Sequence, residues 1–311
     1  VCSRGLRSVH LRKLCSRAGI SNEGGATVNA SDTRDSDIVK TVSFEVLRYN
    51  PETDKTPSLR QYSVPVSKGM TVLDGLHWIK EHKDRTLSWR SSCRMGVCGS
   101  CGMFINGLPR LACNNQIVHL HSDHVIIKPL PNFDIIRDLV PDLESLFRKH
   151  RSTKPYLIRK DLAEQNLPTG EYFQSDKELV NYIQFAYCIK CGLCLSACPT
   201  VATSENYTGP QALTQGWRYI SDSRDEGAQE REEELYSSHG VYRCHFAGAC
   251  SQVCPKGVDP ALAIQMAKKQ AFLRSFGFGK QRQASSVLSP VRDWVPKADI
   301  PQPPAPTVPP K

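Results

Sequence analysis

Eleven of the thirteen cysteines in this 311-residue chain stand in three tight groups. Thiolates at such short spacings bind metal or exchange disulfides. A disulfide scaffold spreads an even number of cysteines through a short secreted chain, which this is not. Clustering in a longer chain points instead to metal, in a compartment that keeps thiols reduced: a bacterial cytoplasm or an organelle interior. Cys2 and Cys15 lie outside the groups and have no assigned role.

The first group is Cys93-x4-Cys98-x2-Cys101, with Cys113 after eleven intervening residues. This is the plant-type 2Fe–2S spacing, in which a loop wraps the cluster and turns backbone N–H groups toward sulfur. Gly96, Gly99 and Gly102 interleave the cysteines, as so sharp a bend requires. A four-cysteine zinc site competes, but its paired ligands are normally separated by a longer linker. The second group, Cys188-x2-Cys191-x2-Cys194-x3-Cys198-Pro199, is the bacterial ferredoxin run in full, whose fourth cysteine serves the other cluster. The third group, Cys244, Cys250, Cys254 and Pro255, repeats that template with Ala247 where the second cysteine belongs. By reciprocity Cys254 completes a 4Fe–4S cluster with Cys188, Cys191 and Cys194. Cys198, Cys244 and Cys250 then hold the other cluster with three thiolates. A cubane corner without a protein ligand tends to lose its iron, so 3Fe–4S is the simplest outcome. The alternative is a 4Fe–4S cluster with a labile or non-cysteine fourth ligand.

Other chemistry is sparse. His119, His121 and His124 are close in sequence, but they precede a strand without a carboxylate set and read as surface residues rather than metal ligands. The charged run from Asp225 to Glu234 reads as a solvated helix face. No nucleophile triad or phosphate loop is detectable. Lys and Arg number 40 against 31 Asp and Glu, a formal charge of +9 spread along the chain, which is a weak nucleic-acid footprint. The longest charge-free run, Met95 to Pro109, is about fifteen residues of glycine- and cysteine-rich sequence. A membrane span needs roughly 20 apolar residues.

The elements that must position these cysteines fall into two regions. Val42, Phe44, Val46 and Tyr49 alternate with polar residues up to Asn50-Pro51, and Tyr62, Val64 and Val66 give a second strand. Val72, Leu73, Leu76 and Ile79 recur at helical spacing behind Thr71, a capping residue. Met103–Ile105 and Leu108–Ala112 flank Asn106-Gly107, a two-residue hairpin signal, and Val125–Ile127 makes a last strand. Together they predict a small β-grasp-like domain over 38–141. Beyond Pro141 the strand signals stop. Leu143, Leu146 and Phe147, then Leu179, Tyr182, Ile183 and Phe185, then 261–276 behind Pro260, predict an all-helical domain over 142–276. The fold class is α+β. Residues 1–37 are Arg-rich and acid-free up to Glu23, the composition of a disordered extension or of a mitochondrial transit peptide. An initial Val fits a GTG start codon. Residues 277–311 read as a Pro-rich disordered tail.

The chain resembles the iron–sulfur subunits of succinate dehydrogenase and quinol:fumarate reductase from about residue 40 to 275. Arg48-Tyr49-Asn50-Pro51, Ser92 through Gly102, Lys154-Pro155-Tyr156, Gly209-Pro210, Asp222-Ser223-Arg224-Asp225 and Cys254 through Pro260 carry the likeness. Some members replace the third 2Fe–2S ligand by Asp, whereas Cys101 stands here. The resemblance implies a relay from a FAD-containing flavoprotein partner through 2Fe–2S, 4Fe–4S and 3Fe–4S clusters to a quinone at membrane anchor subunits. Dicarboxylate chemistry would be on the flavoprotein, and nucleic acid is no partner. It implies a peripheral position on the cytoplasmic face of a bacterial inner membrane or, alternatively, on the matrix face of the mitochondrial one. Near the quinone it points to Pro199, His245 and Lys268. The tryptophan that ubiquinone-linked members carry after Cys198-Pro199 is absent, whereas His245 directly after Cys244 is as in those dehydrogenases. Lys268 matches a lysine near menaquinone in fumarate reductases, and the mixed pattern leans towards menaquinone. A zinc-stabilised module and the cluster subunit of a different two-domain reductase are the other readings.

Overall fold

The computed structural model describes residues 38–278. The N-terminal extension, with Cys2 and Cys15, and the Pro-rich tail beyond 278 lie outside the described residues. The described residues from Val39 to Phe278 belong to one compact unit. Its first part is a five-stranded sheet, built from β1 (Ile38–Arg48), β2 (Ser58–Ser67), β3 (Gly102–Ile105), β4 (Leu108–Leu111) and β5 (His124–Lys128), in the order β2-β1-β5-β3-β4. β1 and β5 run parallel at its centre, with Phe44 opposite Val125 and Val46 opposite Ile127. The alternation read in β1 is the cause: Val42, Phe44 and Val46 are buried on one face, and the residues between them point outward. Helix α1 (Val72–His82) covers that face. It starts at Thr71, which accepts from the Asp74 amide while Asp74 accepts from the Thr71 amide, a reciprocal capping box. Gly75 weakens the helix interior by about 1 kcal/mol relative to alanine. It is there because a Cβ would lie 2.6 Å from the Phe44 ring.

One buried charge network ties the far ends of this part together. Arg48, at the end of β1, donates to Asp138 at 2.9 Å, to the Tyr62 hydroxyl at 3.0 Å and to Thr86 at 2.8 Å, and it ion-pairs with Asp84. Asp138 also accepts the amides of Tyr49 at 3.0 Å and Ser88 at 2.9 Å. Asp138 sits in the turn of a small hairpin, β6 (Ile135–Arg137) and β7 (Val140–Pro141), that the sequence reading did not anticipate. Three residues paired with two offer no alternation to read. Their stability comes from Arg48, ninety positions away.

The second part is helical: α2 (Glu144–Ser152), α3 (Leu162–Asn166), α4 (Asp176–Val180), α5 (Ile183–Ala186), α6 (Leu193–Ser196), α7 (Pro199–Thr203), α8 (Pro210–Ile220), α9 (Ala228–Leu235), α10 (Ala249–Gln252) and α11 (Pro260–Ser275). α8 is its axis, packed by α2, α5, α9 and α11, with Leu213, Trp217, Phe185, Leu146 and Ile264 in the shared core. The periodicity over 179–185 is two short helices rather than one, because Tyr182 leaves helical geometry (φ −134°). Its hydroxyl bonds Gln174 at 2.6 Å and accepts from Arg224 at 3.0 Å. The run from Asp225 to Glu234 departs further from expectation. It is not simply a solvated face: Arg231 is fully buried and pairs with fully buried Asp225 at 2.6 Å. Arg231 also donates to the carbonyls of Lys154 and Tyr156, so two stretches of the family-like text meet here.

Removing one partner of a buried ion pair costs about 3–5 kcal/mol, because the other charge is left without compensation. Asp138→Ala is therefore expected to lower the urea unfolding midpoint by an amount equivalent to about 3 kcal/mol or more. A loss under about 1 kcal/mol would mean that Arg48 finds sufficient compensation in Asp84 alone.

Candidate metal centres

The first group is positioned by a loop and a hairpin. Between Cys93 and Cys101, Arg94, Gly96 and Gly99 take left-handed backbone geometry (φ 58°, 69° and 76°), which turns successive amides inward. The Cys93 sulfur accepts the amides of Met95 at 3.5 Å, Val97 at 3.4 Å and Cys98 at 3.3 Å. The Gly96 amide points at the Cys113 sulfur at 3.3 Å. Cys113 arrives by way of β3 and β4, whose turn has both Asn106 and Gly107 at positive φ, as a tight hairpin turn demands. The register pairs Gly102 with Leu111, so the residues between Cys101 and Cys113 go out and return, and the Cys113 amide lands 3.5 Å from the Cys101 sulfur. Hydrogen bonds from the Ser100 side chain and the Cys93 amide draw the exposed Cys98 thiol down to about 6, while burial pushes Cys101 up to about 12. Four cysteine sulfurs converging among backbone N–H donors fit a 2Fe–2S cluster.

The second and third groups repeat one geometry. α6 and α10 each begin behind a left-handed glycine, Gly192 and Gly248, and each glycine stands two residues after another left-handed residue, Lys190 or Phe246. Every matched position is displaced by the same 56 residues, from Cys188 to Cys244 and from Cys198 to Cys254. The two short helices pack together, and that contact interleaves the thiols. Cys191 is pushed up to about 12 by burial and then by Cys188 and Cys254; Cys194 is raised by burial and by the same neighbours, and by Cys250 as well. Cys250 is pushed up to about 12 by burial, Cys198 and Cys244. Cys188, Cys191, Cys194 and Cys254 thus lie near one another, as do Cys198, Cys244 and Cys250, and Cys194 and Cys250 link the two groups. All eleven thiols of the described residues are free. No three or more His, Cys, Asp or Glu among these residues draw together tightly enough to hold a single ion. Buried thiols that raise one another's pKa fit a polyatomic iron cluster, whose positive charge offsets theirs.

The three-thiol set lines a pocket with about 320 Å³ of free space, part of it open to solvent. Pro199, His245 and Ala247 share its wall and are exposed, as is Phe246 beside them. Ala247 brings no donor atom to the pocket. Lys268, on α11, donates to the Cys244 carbonyl at 2.8 Å. Pro199, His245 and Lys268 therefore come together around the same set. His119, His121 and His124 are exposed and take no part, with His124 on Glu45 at 2.9 Å. The sequence reading missed Tyr207, which is buried against Cys244 and Cys198 in that pocket, and Gln211, whose amide reaches toward Cys188. Only the Gly209-Pro210 text nearby hinted at either. It also missed the seam between the first and second groups. A Cβ on Gly99 would lie 2.7 Å from the Cys191 Cβ and 3.0 Å from its Cα.

Residues 43–148 match the 2Fe–2S iron–sulfur cluster binding domain, and residues 184–258 match the 4Fe–4S dicluster domain. The chain is 47% identical over 230 residues to a fumarate reductase iron–sulfur subunit of Mycobacterium tuberculosis, covering 74% of this chain and 92% of the relative. The corresponding subunit of Escherichia coli is 42% identical, over 75% of this chain and 94% of its own. Among solved structures, a chain of the Mycobacterium smegmatis Sdh1 complex in the apo form superposes with a TM-score of 0.64 at 27% identity, covering 76% of this chain and 97% of that one.

At Gly99 a side chain is excluded twice, by the left-handed backbone and by the Cys191 backbone opposite. Gly99→Ala is expected to destabilise by at least about 2 kcal/mol, seen as a lower thermal midpoint. The two loops should part, so the magnetic coupling between their clusters in paramagnetic resonance should weaken. Unchanged midpoint and coupling would show that the seam is loose.

Proposed function

The chain belongs to the family of fumarate reductase and succinate dehydrogenase iron–sulfur subunits and transfers electrons through iron–sulfur clusters, and on that premise we propose that it holds three of them in line. In this reading Cys93, Cys98, Cys101 and Cys113 carry 2Fe–2S; Cys188, Cys191, Cys194 and Cys254 carry 4Fe–4S; Cys198, Cys244 and Cys250 carry 3Fe–4S. When bound, these groups supply one-electron chemistry between a FAD-containing flavoprotein and a membrane quinone, with menaquinone favoured. What supports the reading is the mutual influence of Cys191 with Cys188 and Cys254 and of Cys250 with Cys198 and Cys244, together with Ala247 where the repeat expects a cysteine.

The protein's own work is positional. Gly99 lets the first loop lie directly against Cys191, so the first two sets are neighbours across a close seam. The cysteines of the second set are half-buried against the hydrophobic cores, which limits the access of water to them. The third set opens outward beside exposed Phe246 and Tyr242, an apolar rim suited to membrane anchor subunits. At the other end exposed Met95 and Val97 flank the first loop, a contact surface for the flavoprotein. Among the described residues no helix is long and apolar enough to cross a membrane, and we place the protein peripherally, on the cytoplasmic face of a bacterial inner membrane. An ammonium has three donors, and Lys268 uses one on the Cys244 carbonyl. The others can bind a quinone oxygen, with His245 and Pro199 alongside.

Purification from the native membrane tests the whole reading: a flavoprotein and anchor subunits should accompany the chain, with iron and acid-labile sulfide in the ratio of the three clusters. Ala247→Cys should replace the signal seen in the oxidised protein, that of 3Fe–4S, by one seen on reduction, while sparing the other two clusters. Retention of the oxidised-state signal at an unmoved potential would mean that the missing ligand does not set cluster type. Lys268→Ala should slow quinol turnover about tenfold or more, the loss of roughly one charge-assisted hydrogen bond, and leave succinate oxidation with an artificial acceptor intact. Equal loss of both activities would remove Lys268 from the quinone site.

A further inference from the structure

Gln211 occupies the first turn of α8 and is 2% exposed. A buried side-chain amide costs free energy unless its polar atoms are paired, and leucine would fill the same space at no such cost. The amide nitrogen of Gln211 has two partners: Nδ1 of His150 at 3.1 Å and the sulfur of Cys188 at 4.0 Å. Its carbonyl oxygen is buried without a partner. The orientation follows from what the amide faces. An imidazole lone pair and a thiolate are both acceptors, and turning the amide over would set its oxygen against them. His150 itself is buried on α2, where burial and then Lys190 push it down to about 4, so the ring is neutral, and in the tautomer protonated at Nε2 its Nδ1 accepts from the amide. One turn later on α8, Gln215 donates to the Phe185 carbonyl at 2.9 Å and fixes the segment that leads into Cys188. The same helix thus holds both the backbone approach and the sulfur.

We infer that Gln211 tunes the cluster held by Cys188, donating an amide hydrogen to that sulfur, and that His150 is the positioning residue that aims it. This rests on the proposed assignment of Cys188 to the 4Fe–4S set. A hydrogen bond to a cluster sulfur withdraws charge and stabilises the reduced, more negative state, so it raises the reduction potential. The 188 set lies next to the first loop across the Gly99 seam and shares interleaved thiols with the third set. Its potential therefore sets the height of the step that electrons cross in the middle of the relay.

The test is potentiometric titration of the purified native complex, followed by low-temperature paramagnetic resonance of each cluster. Gln211→Leu should lower the potential of the 4Fe–4S cluster and leave the 2Fe–2S potential where it is. Gln211→Glu should lower it further, since a carboxylate beside the sulfur adds negative charge. His150→Leu should give a smaller downward shift, because the amide remains but loses its anchor. If Gln211→Leu does not assemble, the other two variants decide in the same way. An intact 4Fe–4S cluster with an unmoved or raised potential in these variants would overturn the inference alone, as would equal shifts of all clusters. Absence of a reduced-state 4Fe–4S signal in the unsubstituted complex would overturn the ligand assignment and the inference with it.

Discussion

Sulfur anions repel one another and lose their hydration when buried, yet the proposed function requires eleven of them to converge in three places. The protein meets that cost differently in its two parts. In the first loop the sulfur of Cys93 is surrounded by amides, which the alternation of left-handed residues turns inward. In the helical part the thiols sit at the starts of one-turn helices or just beside them. Burial and mutual repulsion there push Cys191, Cys194 and Cys250 far up. Free thiols are poorly disposed to ionise in such a place. Iron supplies the positive charge that makes the arrangement stable.

The rest of the fold serves that convergence by fixing loops that have little secondary structure of their own. Arg48 joins the end of β1 to a turn at Asp138 and to the stretch after α1. Arg231 joins Asp225 to the carbonyls of Lys154 and Tyr156. Both arginines are buried and hydrogen-bonded at several of their nitrogens, the geometry in which a guanidinium orients chain segments that apolar contacts alone would leave free to slide. The segments they fix carry few apolar anchors, so charge takes the place of packing.

What could be read from the chain alone was whatever depends on neighbours in sequence. Val42, Phe44 and Val46 announce a strand, Thr71 a helix start, Asn106-Gly107 a hairpin, and the cysteine spacings their chemistry. What depends on distant partners was not legible. Arg231 looks like one more charge in an acidic run until Asp225 folds over it. Tyr182 fits a helical period and still breaks the helix, because Gln174 and Arg224 claim its hydroxyl. Gln211 and Tyr207 have no motif at all. Gly99 was read as a residue needed for bending, and its contact with Cys191 is a property of two loops more than ninety residues apart in sequence.

The 56-residue displacement between the two ferredoxin-like groups has a consequence for how the protein is made. Under the proposed pairing, Cys254 closes the set begun at Cys188, and Cys198 contributes to the set completed by Cys244 and Cys250. A nascent chain that has emerged only as far as α8 owns neither site. Both become complete within ten residues of synthesis, between Cys244 and Cys254. Scaffold proteins that deliver iron and sulfide would then meet only incomplete helical sites, one lacking Cys254 and the other lacking Cys244 and Cys250, and full ligation in this half must wait until the ribosome has released nearly the whole domain.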